Sequence, residues 1–205
     1  KTGLSHALEH MMFKGTKKNP GGIFSQTISK LGGKENAFTS KDYTAYYQTL
    51  PSQYLEEALK FESDRMSNLV VKKEDFLKEI EVIKEERRLR TDDQSEGIAY
   101  EQLYANAYAN SSYHDPIIGW MEDLNHMTEK DISDWYDNWY APNNATAVIV
   151  GDIDFDKTIK LVEKYYGAKK PVKISERVKR NEPYQFGEKN VSIKIKGKPS
   201  YIIMG

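Results

Sequence analysis

Residues 3–16 read Gly3-Leu4-Ser5-His6-Ala7-Leu8-Glu9-His10-Met11-Met12-Phe13-Lys14-Gly15-Thr16. Leu4, Ala7, Leu8, Met11 and Met12 recur at three- and four-residue spacing, which predicts a short helix over 4–14 with one apolar stripe. On that helix His6 and His10 lie one turn apart, so two imidazoles can face one ion. Glu9 follows His6 by three residues and points to nearly the same side. It can reach a water on the metal without taking a coordination position. Two histidines with a carboxylate base beside them meet the needs of metal-assisted hydrolysis.

The order His-x-x-Glu-His reverses His-Glu-x-x-His and matches the inverted zincin motif. The plainer alternative is a pair of helix-surface histidines beside a glutamate. Two histidines do not complete a zinc site, because a third protein ligand is needed. The chain has 205 residues and no cysteine, so that ligand is expected to be a carboxylate. A charged helix predicted over 74–90 is the best supply. Glu79 and Glu86 are seven apart there and share a face, with Val82 and Ile83 beside them to bury it against the first helix. Spacing alone leaves Glu79, Glu81, Glu85 and Glu86 all open. His114 and His126 lack such spacing and read as loop or surface histidines.

Outward from these two segments the pattern mixes helices and strands. A helix is predicted from Ile23 to Leu31, ended by Gly32-Gly33. Residues 35–50 switch to period two, rich in Thr and Tyr, and predict a strand pair turned at Ser40-Lys41-Asp42. Further helices are expected over 53–70, 95–109 and 154–166. Thr128-Glu129-Lys130-Asp131 resembles a capping box opening an aromatic helix. The aromatic residues at 104, 108, 113, 135, 136, 139 and 140 read as core rather than as a ligand platform. Ala147-Val148-Ile149-Val150 predicts a short buried strand, 168–190 a linker or a connection crossing the surface, and 191–196 a strand with one polar face. The reading is an α+β, two-layer domain with a mixed, largely antiparallel sheet packed against helices.

Composition excludes several classes. The 30 basic and 31 acidic residues nearly cancel to a net −1, which gives nucleic acid no electrostatic footprint. No run approaches the roughly 20 apolar residues of a membrane span. The chain opens without an initiating Met, and Tyr201-Ile202-Ile203-Met204-Gly205 stops in an apolar strand-like run. It is therefore expected to be part of a longer protein.

The stretch 3–16 closely resembles the opening motif of the pitrilysin, insulysin and mitochondrial-processing-peptidase family. Its Phe-Lys-Gly-Thr ending is most similar to the processing-peptidase branch and its bacterial zinc-protease relatives. The resemblance continues through Glu35-Asn36-Ala37-Phe38-Thr39-Ser40, Asp42-Tyr43-Thr44-Ala45-Tyr46 and Glu79-Ile80-Glu81-Val82-Ile83-Lys84-Glu85-Glu86. It also takes in Tyr113-His114-Asp115-Pro116-Ile117-Ile118-Gly119, Tyr140-Ala141-Pro142-Asn143-Asn144 and Val150-Gly151-Asp152, and so covers nearly the whole chain.

The resemblance implies a zinc-dependent endopeptidase with one Zn2+ per chain. His6, His10 and Glu86, the Glu 76 residues after His10, would be the metal ligands. Glu9 would be the general base, and Glu79 the additional active-site glutamate that orients an imidazole. Asn36 and Ala37 would bind an extended peptide substrate. It further implies a zinc-binding domain over 1–190, lacking the family's leading strands, with 191–205 starting a second homologous domain or forming a closing strand. That second domain or subunit supplies an arginine and a tyrosine, so residues 1–205 alone are expected to bind zinc without full activity. Bacterial relatives imply the periplasm or cell envelope. The rival expectation is a non-catalytic partner or structural subunit of the same family.

Overall fold

Gly3 starts the first helix from a left-handed backbone (φ 79°), and a Cβ there would stand 2.6 Å from the Ile118 carbonyl oxygen. Both facts favour glycine. The backbone N–H and hydroxyl of Thr2 donate to Asp123 Oδ2, and Trp120 N–H donates to Thr2 Oγ1, at 2.6–2.9 Å. The entry to the helix is thus stitched to the 118–123 segment.

The computed structural model describes residues 1–196 and residue 202. Helix α1 spans Leu4–Met11 and α2 Ile23–Lys30. Strands β1 (Lys34–Thr39) and β2 (Thr44–Thr49) pair antiparallel, with Asn36 opposite Tyr47 and Thr39 opposite Thr44. The turn between them closes with a 2.8 Å bond from Ser40 N–H to the Tyr43 carbonyl, at the expected place. Helix α3 spans Leu55–Asn68 and α4 Lys73–Arg87, which runs into a π-helical turn, Arg88–Asp92. Then come α5 (Ser95–Ala107), α6 (Met121–Asn125), α7 (Glu129–Trp139) and α8 (Phe155–Tyr166). Helices α1 and α2 lie against the β hairpin. The architecture is α+β, and its sheet has two antiparallel strands among the described residues.

The core is where α1 meets α4 and α7. Ala7, Leu8, Met11 and Met12 from α1 pack with Phe76, Ile80 and Ile83 from α4 and with Leu124, Ile132 and Tyr136. Each large side chain buried here contributes roughly 1.5–3 kcal/mol. Arg87 closes α4 with a forked pair to Glu101 (2.7 and 3.0 Å) and a bond to the Gly119 carbonyl (3.0 Å). The capping box opens α7 as expected: Asp131 N–H donates to Thr128 Oγ1, and Thr128 N–H donates to Asp131 Oδ2.

Tyr136 serves the last turn of α3, whose carbonyls have no intrahelical partners. Its hydroxyl donates to the Arg65 carbonyl (2.9 Å) and accepts from Leu69 N–H (3.2 Å). Tyr136→Phe leaves both groups unsatisfied in the interior. It is expected to lower unfolding free energy by about 1–3 kcal/mol in urea titration. An unchanged midpoint would show that the hydroxyl is not holding the helix end.

Several expectations are corrected. Residues 147–150 form no strand, and Val148 and Val150 are 79% and 89% exposed. Residues 191–196 form none either. A strand needs a neighbour to complete its ladder, and no described residue supplies one to either run. The 201–205 run lies outside the described residues apart from the exposed Ile202. On α4 the buried face is Phe76, Ile80, Ile83 and Arg87, while Val82 points outward at 51% exposure. Tyr136 is in the core, with Trp135 and Tyr140 packed against it. Tyr104, Tyr108 and Tyr113 instead contact one another outside it, and α5, which carries Tyr104, buries none of its residues. The 168–190 connection has no regular element, as expected.

Candidate metal centre

Helix α1 carries His6, Glu9 and His10, and α4 brings Glu79 and Glu86 against them. His6 and His10 stack edge to face with ring centroids 4.8 Å apart. Both Nε2 atoms face one carboxylate oxygen: Glu86 Oε2 is 3.7 Å from that of His6 and 3.3 Å from that of His10. Ligand atoms of these three residues all lie within 4.8 Å of one another, and no other such group occurs among the described residues.

The protons say what this cluster is suited to. His10 Nδ1 lies 3.2 Å from Glu79 Oε2. A carboxylate only accepts, so the ring proton sits on Nδ1 and is donated to Glu79. In the neutral ring Nε2 is then a lone pair facing Glu86 Oε2, 3.3 Å away. Two acceptors facing each other repel unless a proton or a metal ion lies between them. Burial, reinforced by His10 and Arg90 and opposed by Glu86, pulls His6 down to about 4, so its imidazole is neutral at pH 7. Its Nδ1 is buried with no hydrogen-bond partner among the described residues. Two ligands each about 2.1 Å from a tetrahedral ion stand about 3.4 Å apart. The 3.3 and 3.7 Å separations bracket that figure. Two imidazoles and one carboxylate are also a donor set that suits zinc.

The carboxylates of α4 divide cleanly. Glu79 and Glu86 turn to the histidines, whereas Glu81 pairs with Lys84 and Glu85 with Arg88 at the exposed surface. Glu9 stands outside the three-residue cluster; its Oε2 accepts a hydrogen bond from Thr39 Oγ1. Asn36 and Ala37 lie on β1, where Ala37 N–H donates to Asn36 Oδ1 (2.9 Å). Among the described residues β1 pairs with β2 on one edge and with no strand on the other. His114 pairs with Asp115 in a short turn, and His126 is exposed, as the sequence suggested.

Two partners escaped the sequence reading. Lys14 Nζ holds Glu79 Oε1 (2.5 Å), and Arg90 Nη1 holds Glu86 Oε1 (2.7 Å). Each lies four residues beyond a site residue, Lys14 after His10 and Arg90 after Glu86. That spacing was the available signal.

The sequence model of the insulinase family, peptidase family M16, matches residues 1–120, more than half of the chain. The chain belongs to peptidase family M16. A second M16 model, described as the inactive domain, matches residues 126–205. The M16 chain is 37% identical over 166 residues to the zinc protease PqqE of Helicobacter pylori, covering 81% of this chain and 37% of that protein. A crystal structure of a protease from Helicobacter pylori superposes with a TM-score of 0.84 at 34% identity, over 89% of this chain and 44% of that one. The first half of the periplasmic protease PqqL from Escherichia coli gives 0.79 at 28% identity, over 89% and 40%. The chain spans about two fifths of the length of the curated relatives it matches. No helix among the described residues is long and apolar enough to cross a membrane.

Proposed function

We propose that this chain is the zinc-binding part of an M16 endopeptidase that cleaves extended or unfolded peptides. The observation that carries the reading is the single oxygen, Glu86 Oε2, faced by the Nε2 atoms of both His6 and His10. Those three residues would hold one zinc per chain. Zinc bound there supplies an acidified water and polarises the scissile carbonyl. Glu9 would act as general base, taking a proton from the attacking water and passing it to the leaving amine. Glu79 accepts the His10 Nδ1 proton and keeps that ring in the tautomer whose Nε2 binds metal. Lys14 holds Glu79 from its other oxygen.

The open edge of β1 suits strand addition, in which an extended peptide bonds to the main chain at Asn36 and Ala37. The Asn36 side chain would swing off Ala37 N–H as the peptide enters. We assign residues 1–190 to the zinc-binding domain and 191–205 to the beginning of a second homologous domain that completes the active-site chamber. A relative named as a zinc protease, and a periplasmic protease solved as a first half, support that arrangement.

The test is zinc affinity measured by competition with a chelating dye. Glu86→Gln is expected to weaken zinc binding more than about 100-fold, beyond the 10–100-fold that outer partners cost. Glu85→Gln and Glu81→Gln are expected to bind as the parent does. Damage confined to Glu85→Gln would mean that another face of α4 holds the metal.

A further inference from the structure

A row of hydroxyls leads to Glu9, and its proton order follows from counting. Thr39 Oγ1 donates to Glu9 Oε2, because a carboxylate only accepts. A threonine hydroxyl has one proton, and that one is now committed. Thr44 Oγ1 lies 3.2 Å from Thr39 Oγ1, so the proton in that contact belongs to Thr44. Beyond Thr44, the Tyr140 hydroxyl lies 2.6 Å from that of Tyr46. Burial holds both phenols above their ordinary 10, so both stay protonated donors. The Arg65 guanidinium lies 4.4 Å from the Tyr46 ring centroid. The Thr44 and Thr39 hydroxyl dipoles therefore run one way, toward Glu9, and such chains polarise each bond along them.

We propose that Thr39, at the head of this hydroxyl row, is a positioning residue for Glu9. It pins Oε2 and leaves Oε1 as the atom that takes the proton. The inference rests on the reading of Glu9 as general base. Among the described residues Glu9 Oε1 makes no hydrogen bond of its own, so the Thr39 bond is what orients the carboxylate.

The experiment uses the full-length protein and an unfolded peptide substrate, with kcat, KM and zinc content measured for four variants. Thr39→Val keeps the branched shape a strand favours and removes the hydroxyl. It is expected to lower kcat about 10–100-fold, the worth of one hydrogen bond to a charged group, with KM and zinc content unchanged. Thr39→Ser restores the donor and is expected within about threefold of the parent. Thr44→Val, one hydroxyl further out, should lower kcat in the same sense by a smaller factor. Glu9→Gln is the control. If Glu9→Gln is inactive while Thr39→Val turns over like the parent, the positioning role is overturned and the base assignment stands. If Thr39→Val raises KM at unchanged kcat, loses zinc, or is not rescued by serine, Thr39 acts on substrate or fold rather than on Glu9. A Glu9→Gln variant with parental kcat overturns both readings together.

Discussion

Glu9→Gln in the full-length protein is expected to keep one zinc per chain and to lose about 10²–10⁴ in kcat, the range that general-base help supplies. Glutamine matches glutamate in shape and still accepts the Thr39 hydrogen bond through its carbonyl oxygen. It cannot take a proton from water. Glu9 stands outside the cluster formed by His6, His10 and Glu86, so metal affinity should change little. Pairing zinc stoichiometry with initial rates on an unfolded peptide separates the two roles. A rate within a few-fold of the parent removes Glu9 as base. Loss of zinc would instead make it a ligand.

The second large effect is expected at His10. In the proposed site its Nε2 is one of three protein donors, and its Nδ1 carries the link to Glu79 and through it to Lys14. His10→Ala removes a ligand and leaves Glu79 and Glu86 as neighbouring carboxylates without the imidazole between them. Tight zinc binding should disappear, since an incomplete donor set cannot hold a tetrahedral ion firmly. His6→Ala should do the same without disturbing Glu79. Full zinc occupancy in purified His10→Ala, by atomic absorption, would be incompatible with this site.

Much of the fold was legible because it is local. The stripe Leu4, Ala7, Leu8, Met11, Met12 and the turn at 40–42 depend on neighbours within a few residues. So does the Thr128–Asp131 box. The run 147–150 misled because a strand is a property of two segments, and apolar composition says nothing of whether the second is there. The α4 register failed at Val82 for a related reason: the turn of a helix relative to its neighbour is set by packing, here by Phe76, Ile80 and Ile83.

At the site, the His6–His10 pair was readable from helical geometry alone. The choice of Glu86 came from family resemblance, since four glutamates on one helix look alike by spacing. Lys14 and Arg90 were within reach of the same four-residue rule. Thr39 was not, as it meets Glu9 across 30 residues of chain and two elements. Only the folded chain brings those two together.

The most direct measurement is anomalous scattering at the zinc edge from crystals of this chain grown with zinc. One peak is predicted, about 2.0–2.2 Å from His6 Nε2, His10 Nε2 and a Glu86 oxygen. It should lie beyond bonding distance of Glu9 and Glu79. A peak beside His114 and Asp115, or one at the α1 histidines that Glu86 does not touch, would contradict the assignment.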